Sequence, residues 1–426
     1  MPAQHVTLLT VVALLTACAH PRSAATGAGG AGGAGVVVAP LASDESCILS
    51  TGSVSARAPT ITIGLTDAVD PRHAPIARND AEHIVFGQLY ETPVRIDCDG
   101  HVRPELAAQW EKSDGGRRWT FHLREGAQFW DGAPVTAQDI VFGRGGVGYT
   151  LGAPDKSTVA LMFAKERDDV PSLLGDPSLA VTKPAPDSSW PIGTGAYWAT
   201  SVTTTAQEIR AHTTRGDTLV FRLAASGDAR DLLDAGVDLL ITRDRALRDY
   251  AATLQNRAVV PLPWDRTYVF VTAEGAGARF DEGGLEQAVR AEARRAEGGG
   301  WWGDLRACAS ARDTAATASS GQHRILYSRG DPTARELAGR VAALTHAVAA
   351  GRAPDDFAAA LSAGKEWGYV LALPRVTPDA CRSAKDLLPA WLASFTALVD
   401  TRPTAIVRRG VARWTVDQDG TVHLAP

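Results

Sequence analysis

The sequence predicts an α/β fold in which strand-like and helix-like patterns follow one another along the chain, and its length and composition make it a globular protein of several domains. At roughly 100 to 200 residues per domain, the 426 residues suffice for two or three domains with ample core. The composition is 45% hydrophobic and 21% charged, close to that of soluble globular proteins. Its 43 basic and 48 acidic residues leave a net charge of -5. That balance offers no clustered cationic field to a phosphate backbone, so nucleic acid is excluded as a partner.

The first element is an apolar run at 6–18, VTLLTVVALLTAC, too short to span a bilayer core of about 30 Å. It suits the core of a signal peptide, although the preceding stretch holds His5 and no Lys or Arg. Its end, Leu15, Thr16, Ala17, Cys18, resembles a bacterial lipobox, which implies Cys18 as the lipid-bearing first residue of an exported, membrane-anchored protein. Residues 19–58 are rich in Gly, Ala and Ser, a composition that reads as a flexible tether. Export would leave Cys47, Cys98, Cys308 and Cys381 in an oxidising compartment, where two disulfides with three possible connectivities can form. None lies in a CxxC pair, so no metal site is expected.

After the tether, PTITIGL at 59–65 alternates like an edge strand. DAEHIVFGQLYE at 80–91 then places Ile84, Gln88 and Glu91 on one helical face and Val85 and Leu89 on another. PVRIDCDGHVRPEL contains a hairpin that turns at Asp97, Cys98, Asp99 and Gly100. WTFHL at 119–123 reads as a strand, and Thr136 and Asp139 have the spacing of a helix capping box.

PELAAQW at 104–110 and RRWTFHLREGAQFWDGAPVTAQDIVF at 117–142 resemble the signature block of the bacterial extracytoplasmic solute-binding proteins, family 5, of the peptide and nickel type. Further blocks are similar in the same order. They are GTGAY at 193–197, FRLAASGDARDLLDAGVDLLI at 221–241 with Gly236 and Asp238 at its turn, TYVFV at 267–271, the helix-like 280–295, RILYSRGDPTARELAGRVAAL at 324–344, and the ending at 406–424.

The resemblance implies a two-lobed periplasmic-binding-protein-like fold of type II, cluster C-like, with mixed sheets flanked by helices. It implies signal peptide 1–18, tether 19–58, lobe I from 59–266 plus 401–426 with an inserted subdomain at about 71–188, and lobe II at 267–400. Two segments, near 264–268 and 396–404, would form the hinge over which a cleft closes on a solute. The expected cleft residues are His73, in a segment similar to the family's DP segment, Trp264, Asp265, Arg266 and Tyr268 at the hinge, Trp302 in a following loop, and Arg375. Ordinary packing competes at each tryptophan. Arg375 stands where the family usually has acidity, which opens the cleft to an anionic or uncharged solute. Within these lobes the favoured disulfides are Cys47 with Cys98 and Cys308 with Cys381. The second lobe is short for the family, so substantial loops must be missing.

GRGGVG at 143–148 satisfies GxGxxG but follows a helix, where a dinucleotide site needs a strand before it. No GxxxxGK[ST], HExxH or GxSxG occurs. The paired carboxylates Asp168 and Asp169, and Asp355 and Asp356, read as loop or helix-start charges. No cofactor or catalytic residue is expected, and the chain is not read as an enzyme. The expected function is capture of a peptide-like or other small solute for the permease and ATPase subunits of an ABC-type importer, at the periplasmic or exterior face of a membrane. The alternative is a degenerate scaffold or sensor lipoprotein with an empty or closed cleft.

Overall fold

The computed structural model describes residues 35–37, 47–49, 59–141, 149–186, 190–202, 208–224, 227–273, 301–302, 323–374 and 392–424. The chain enters its first large sheet with β1 (Thr60–Leu65), runs through α1 (Asp80–Leu89), and returns with β2 (Thr218–Leu223) and β3 (Leu239–Thr242). Then come α2 (Arg245–Ala252) and β4 (Arg257–Pro261). β1 is not an edge strand: it sits centrally in seven strands, parallel to β2 on one side and β3 on the other. Ile61, Ile63 and Leu65 are buried. The opposite side of the strand is covered as well, because Gly64 gives Leu240, Leu232 and Val237 room to pack against it. Asp238 fastens the register by accepting from Thr62 N–H at 2.8 Å while its own N–H donates to Thr62 O at 2.7 Å.

α1 also departs from the two-faced reading. Its Ile84, Val85, Phe86, Gln88 and Leu89 are all buried, since the helix is wedged between the sheet, the GTGAY segment and the returning C-terminus. The hairpin forms from Val94–Ile96 and Val102–Pro104. WTFHL lies in Arg118–Leu123, within a five-stranded sheet ordered 35–37, 107–113, 118–123, 158–163, 149–155. The Asp139 carboxylate accepts from both Thr136 N–H and Thr136 Oγ1 at 2.7 Å, which supplies the half of a capping box in which the third residue's side chain reaches back to the cap N–H; the Asp139 N–H donates to Thr136 O instead of to the hydroxyl.

Two short strands lie inside the stretch expected as a tether. Residues 35–37 pair with 110–112, and Ile48–Leu49 pair with Thr415 and Trp414. A Cys47–Cys98 disulfide ties the second of these to the hairpin. Cys308 and Cys381, the 280–295 helix and GRGGVG lie outside the described residues.

The second large sheet starts at β5 (Arg266–Ala273) and continues with β6 (Arg324–Ser328), α3 (Pro332–Thr345) and β7 (Val348–Arg352). It ends with α4 (Pro354–Ala363), β8 (Gly368–Pro374) and β9 (Leu392–Thr401). Alternate β5 residues face opposite ways: Tyr268 and Phe270 pack with Leu337 and Val341 of α3, whereas Val269 and Val271 pack with Phe357 of α4. An unbroken apolar run is what a strand covered on both faces needs. After β9 the chain re-enters the first sheet as β10 (Thr404–Arg408), antiparallel between β3 and β4. The chain therefore passes between the two large sheets twice, at 262–265 and at 402–403.

Candidate functional site

In both large sheets the parallel strands end toward one cleft. β1, β2 and β3 present Thr66, Asp67, Ala224 and Arg243 just beyond their carboxyl ends, and β6, β7 and β8 present Gly330, Ala353 and Pro374 from the other side. Such ends leave loops and helix N-termini free to meet a ligand. The cleft has a volume of about 2220 Å³, larger than the usual 300 to 1,000 Å³ of a small-molecule pocket.

Among the described residues its lining is acidic, with thirteen carboxylates, six guanidiniums and three imidazoles. Five of the six guanidiniums already meet a carboxylate: Arg78 with Asp355, Arg95 with Asp417, Arg245 with Asp249, and Arg243 and Arg266 with Asp80. Asp67 accepts only from the Thr66 hydroxyl, at 3.3 Å, among the hydrogen bonds of the described residues. Burial, and after it the neighbouring Asp80, pushes its carboxyl above the ordinary value. Among the described lining residues, carboxylates therefore outnumber the cations that could neutralise them.

The floor of the cleft is a closed set of two acids and two arginines at the first crossing. Arg243 Nε donates to Asp80 Oδ2 at 2.9 Å and Nη1 to Asp265 Oδ1 at 3.1 Å, and Arg266 reaches Asp80. Arg243 also reaches the Thr401 hydroxyl at 3.4 Å, at the start of the second crossing. Burial opposes ionisation of Asp80, but Arg266 and Arg243 outweigh it and hold the carboxyl well below the usual range. Forked guanidiniums suit this double pairing, because separate N–H groups of one rigid plane reach the two carboxylates.

Of the residues expected in the cleft, His73, Asp265, Arg266 and Tyr268 line it. Each is engaged by the protein itself. His73 Nδ1 lies 2.7 Å from the buried Glu82 carboxylate, Asp265 and Arg266 belong to the floor cluster, and the Tyr268 hydroxyl lies 3.0 Å from both Asp331 oxygens. Trp264 is absent from the lining and carries the Arg402 guanidinium 4.4 Å above its ring, next to the second crossing. The strand Trp301–Trp302 pairs with Thr401 and Asp400 of β9. Arg375 and Cys18 lie outside the described residues. Sequence reasoning missed Asp67, Arg78, Asp80, Arg243, Asp331 and Asp355. The available signal was position, because a polar residue one or two places past a strand or at a helix start faces the cleft in this topology.

One further cluster, Asp97, Asp99 and His101 in the hairpin turn, is structural. Asp97 accepts from the N–H groups of Asp99 and His101 and from Arg103.

A family model described as bacterial extracellular solute-binding proteins, family 5 Middle, matches residues 101–211. That match takes in the signature block at 104–142 and about a quarter of the chain. The chain is 45% identical over 75 residues to the probable deoxycholate-binding periplasmic protein YgiS of Escherichia coli, covering 18% of the chain and 14% of that protein. It is 48% identical over 61 residues to the periplasmic oligopeptide-binding protein OppA of the same organism, covering 14% of the chain and 11% of OppA. The matched sequence thus spans a small part of these relatives. In fold the likeness is wider. NikA from Brucella suis in complex with Fe(III)-EDTA aligns over 87% of the chain and 100% of its own, with a TM-score of 0.63 at 15% identity. AgaA from A. tumefaciens R10 in complex with agropinic acid aligns over 86% and 99%, with a TM-score of 0.61 at 15% identity. Among the described residues, no helix is long and apolar enough to cross a membrane.

Proposed function

We propose that this protein is the solute-capturing component of an ABC-type importer, exported and held at a membrane through a lipid on Cys18, and that it binds its solute by hinge closure. The observation that carries this reading is the convergence of parallel strand ends from two sheets on one cleft, with the chain crossing twice beside it. Two crossings allow the sheets to rotate about a line near 262–265 and 402–403 without disturbing either core, and a solute touching both walls then favours the closed arrangement. The relatives named above as periplasmic oligopeptide-binding and deoxycholate-binding proteins support export and solute capture.

The surplus of carboxylates points to a solute that carries cationic groups, such as a peptide or other small amine, rather than the anionic or uncharged solute that Arg375 suggests. Residues 267–400 act as the second lobe and 59–266 with 401–426 as the first, with 71–188 as an insertion. The role calls for no covalent chemistry.

A native mass spectrum of the exported protein tests the reading, together with thermal melts across peptides, amines, sugars and organic acids. A solute at one hundred times its Kd stabilises the folded state by about 2.7 kcal/mol. A retained or stabilising amine or peptide is the expected result. Melts unmoved by any solute would favour the scaffold reading, and stabilisation by organic acids alone would overturn the charge argument.

A further inference from the structure

The floor cluster is not the place where the two walls meet at the rim. That contact is Arg78 with Asp355: Arg78 Nη1 donates to Asp355 Oδ1 at 2.8 Å across 277 residues of sequence. Arg78 belongs to the loop that leads into α1, beside the first sheet, and Asp355 to the first turn of α4, on the second. Both side chains line the cleft, and they are 50% and 86% exposed, which puts the pair at the mouth rather than the floor. Contacts at the mouth, farthest from a hinge, separate most for a given rotation.

The geometry behind Arg78 is unusually well fixed for a loop. The Glu82 side chain is 1% exposed, and its single carboxylate gathers the whole 70–78 segment. Oε1 accepts from Asp70 N–H at 3.0 Å and lies 2.7 Å from His73 Nδ1, while Oε2 accepts from Arg78 N–H at 2.7 Å. Asp355, for its part, sits in the first turn of a helix, where the peptide dipoles favour a negative charge whether or not Arg78 is present.

We propose that Arg78 and Asp355 form an ion-pair clasp across the cleft mouth that enriches the closed arrangement, and that buried Glu82 is the positioning residue that presents Arg78 to it. The inference rests on the hinge-closure reading. Because the pair is exposed, its effect is small and screened by salt: it changes the closed-to-open ratio about 1.5- to 5-fold, with most of that lost at high ionic strength.

The test is single-molecule energy transfer on the full chain, with dyes attached by non-cysteine chemistry at positions 162 and 344. Met162 and Leu344 are exposed and lie on the inserted five-stranded sheet and on α3. Arg78→Ala and Asp355→Ala should each lower the closed-to-open ratio by that factor, the two together should lower it no further, and Arg78→Asp with Asp355→Arg should restore it. Glu82→Gln should lower it in the native background and leave it unchanged beside Asp355→Ala, since a positioning residue acts only through the pair. Asp356→Ala, one residue beyond the clasp, should leave it unchanged. If the native chain shows two populations that neither salt nor Arg78→Ala moves, the clasp is overturned and hinge closure stands. A single distance in the native chain under every salt condition overturns both.

Discussion

The hydroxyl of Tyr268 donates to the carboxylate of Asp331, 3.0 Å from each oxygen, and thereby joins β5 to the helix that forms one wall of the cleft. Asp331 also caps α3 by accepting from Ala334 N–H at 2.9 Å, while Tyr268 is 1% exposed in the core of the second sheet. Burial, then Asp331, pushes the phenol above its ordinary value, so it stays a donor throughout the physiological range. Tyr268→Phe removes one hydrogen bond to a charged acceptor and should cost about 1.5–3 kcal/mol in urea unfolding. Solute affinity should change far less, because the hydroxyl that is lost is already engaged by Asp331. A variant as stable as the native chain, or one that loses affinity alone, would contradict this assignment.

The floor cluster predicts both a mutational and a pH effect. Arg243→Ala leaves Asp265, 7% exposed in its side chain, without its closest guanidinium, and breaking a buried pair in this way costs about 3–5 kcal/mol. Asp80 is held below its ordinary range in the folded protein, so the folded state binds this proton less tightly than the unfolded chain does. Its contribution to stability is therefore present above about pH 4 and lost as pH falls below that. Urea midpoints measured from pH 3 to pH 6 should drop toward acid in the native chain and drop less in Asp80→Asn. Equal slopes in the two proteins would exclude Asp80 as the source.

Glu105 carries the opposite sign. Its carboxylate lines the cleft and accepts from Thr92 N–H at 3.0 Å and Thr92 Oγ1 at 2.7 Å, but burial, and after it Glu91, pushes it up to about 7. An unfolded Glu titrates near about 4.3. The folded state therefore keeps a proton that the unfolded chain releases, and the stabilisation this gives is complete below about pH 4.3 and lost as pH rises through about 7. Glu105→Gln keeps an acceptor for Thr92 and carries no charge. Its stability relative to the native chain should rise steadily in melts from pH 5 to pH 8, and a constant difference would refute the shift.

Local pattern made several elements legible in the sequence: the 94–104 hairpin, the strand around Trp119 and the Thr136 cap all depend on neighbours within a few residues. β1 was misjudged for the complementary reason. Its alternation of Thr and Ile reads as half-buried, and only β2 and β3, more than 150 residues away, decide that both its edges are paired. The cleft residues were harder still. Tyr268, Asp265 and Arg266 were chosen for chemistry, and they do reach the cleft, but whether their polar groups face a solute depends on distant partners such as Asp331 and Arg243. Sequence cannot assign those partners.

The GTGAY block shows a motif whose physical reason appears only in three dimensions. Gly195 N–H donates to Leu89 O at 3.0 Å, and Gly193 O accepts from Trp130 N–H at 3.1 Å, so the segment lies directly on the carboxyl end of α1. A Cβ on Gly195 would fall 2.5 Å from Leu89 C and 2.7 Å from Gln88 O, and one on Gly193 would fall 2.1 Å from Leu89 O. These are backbone atoms, which cannot rotate aside, so the strain must move the helix or the segment. Gly195→Ala should therefore cost at least the roughly 1–3 kcal/mol typical of overpacking. α1 begins at Asp80 and follows Arg78, so displacing the helix should also disturb the floor and the rim of the cleft together. Gly152→Ala is the control, because a Cβ there meets nothing within 4 Å. Urea unfolding of both variants decides the matter, and comparable stability in the two would mean that the segment yields more easily than its contacts imply.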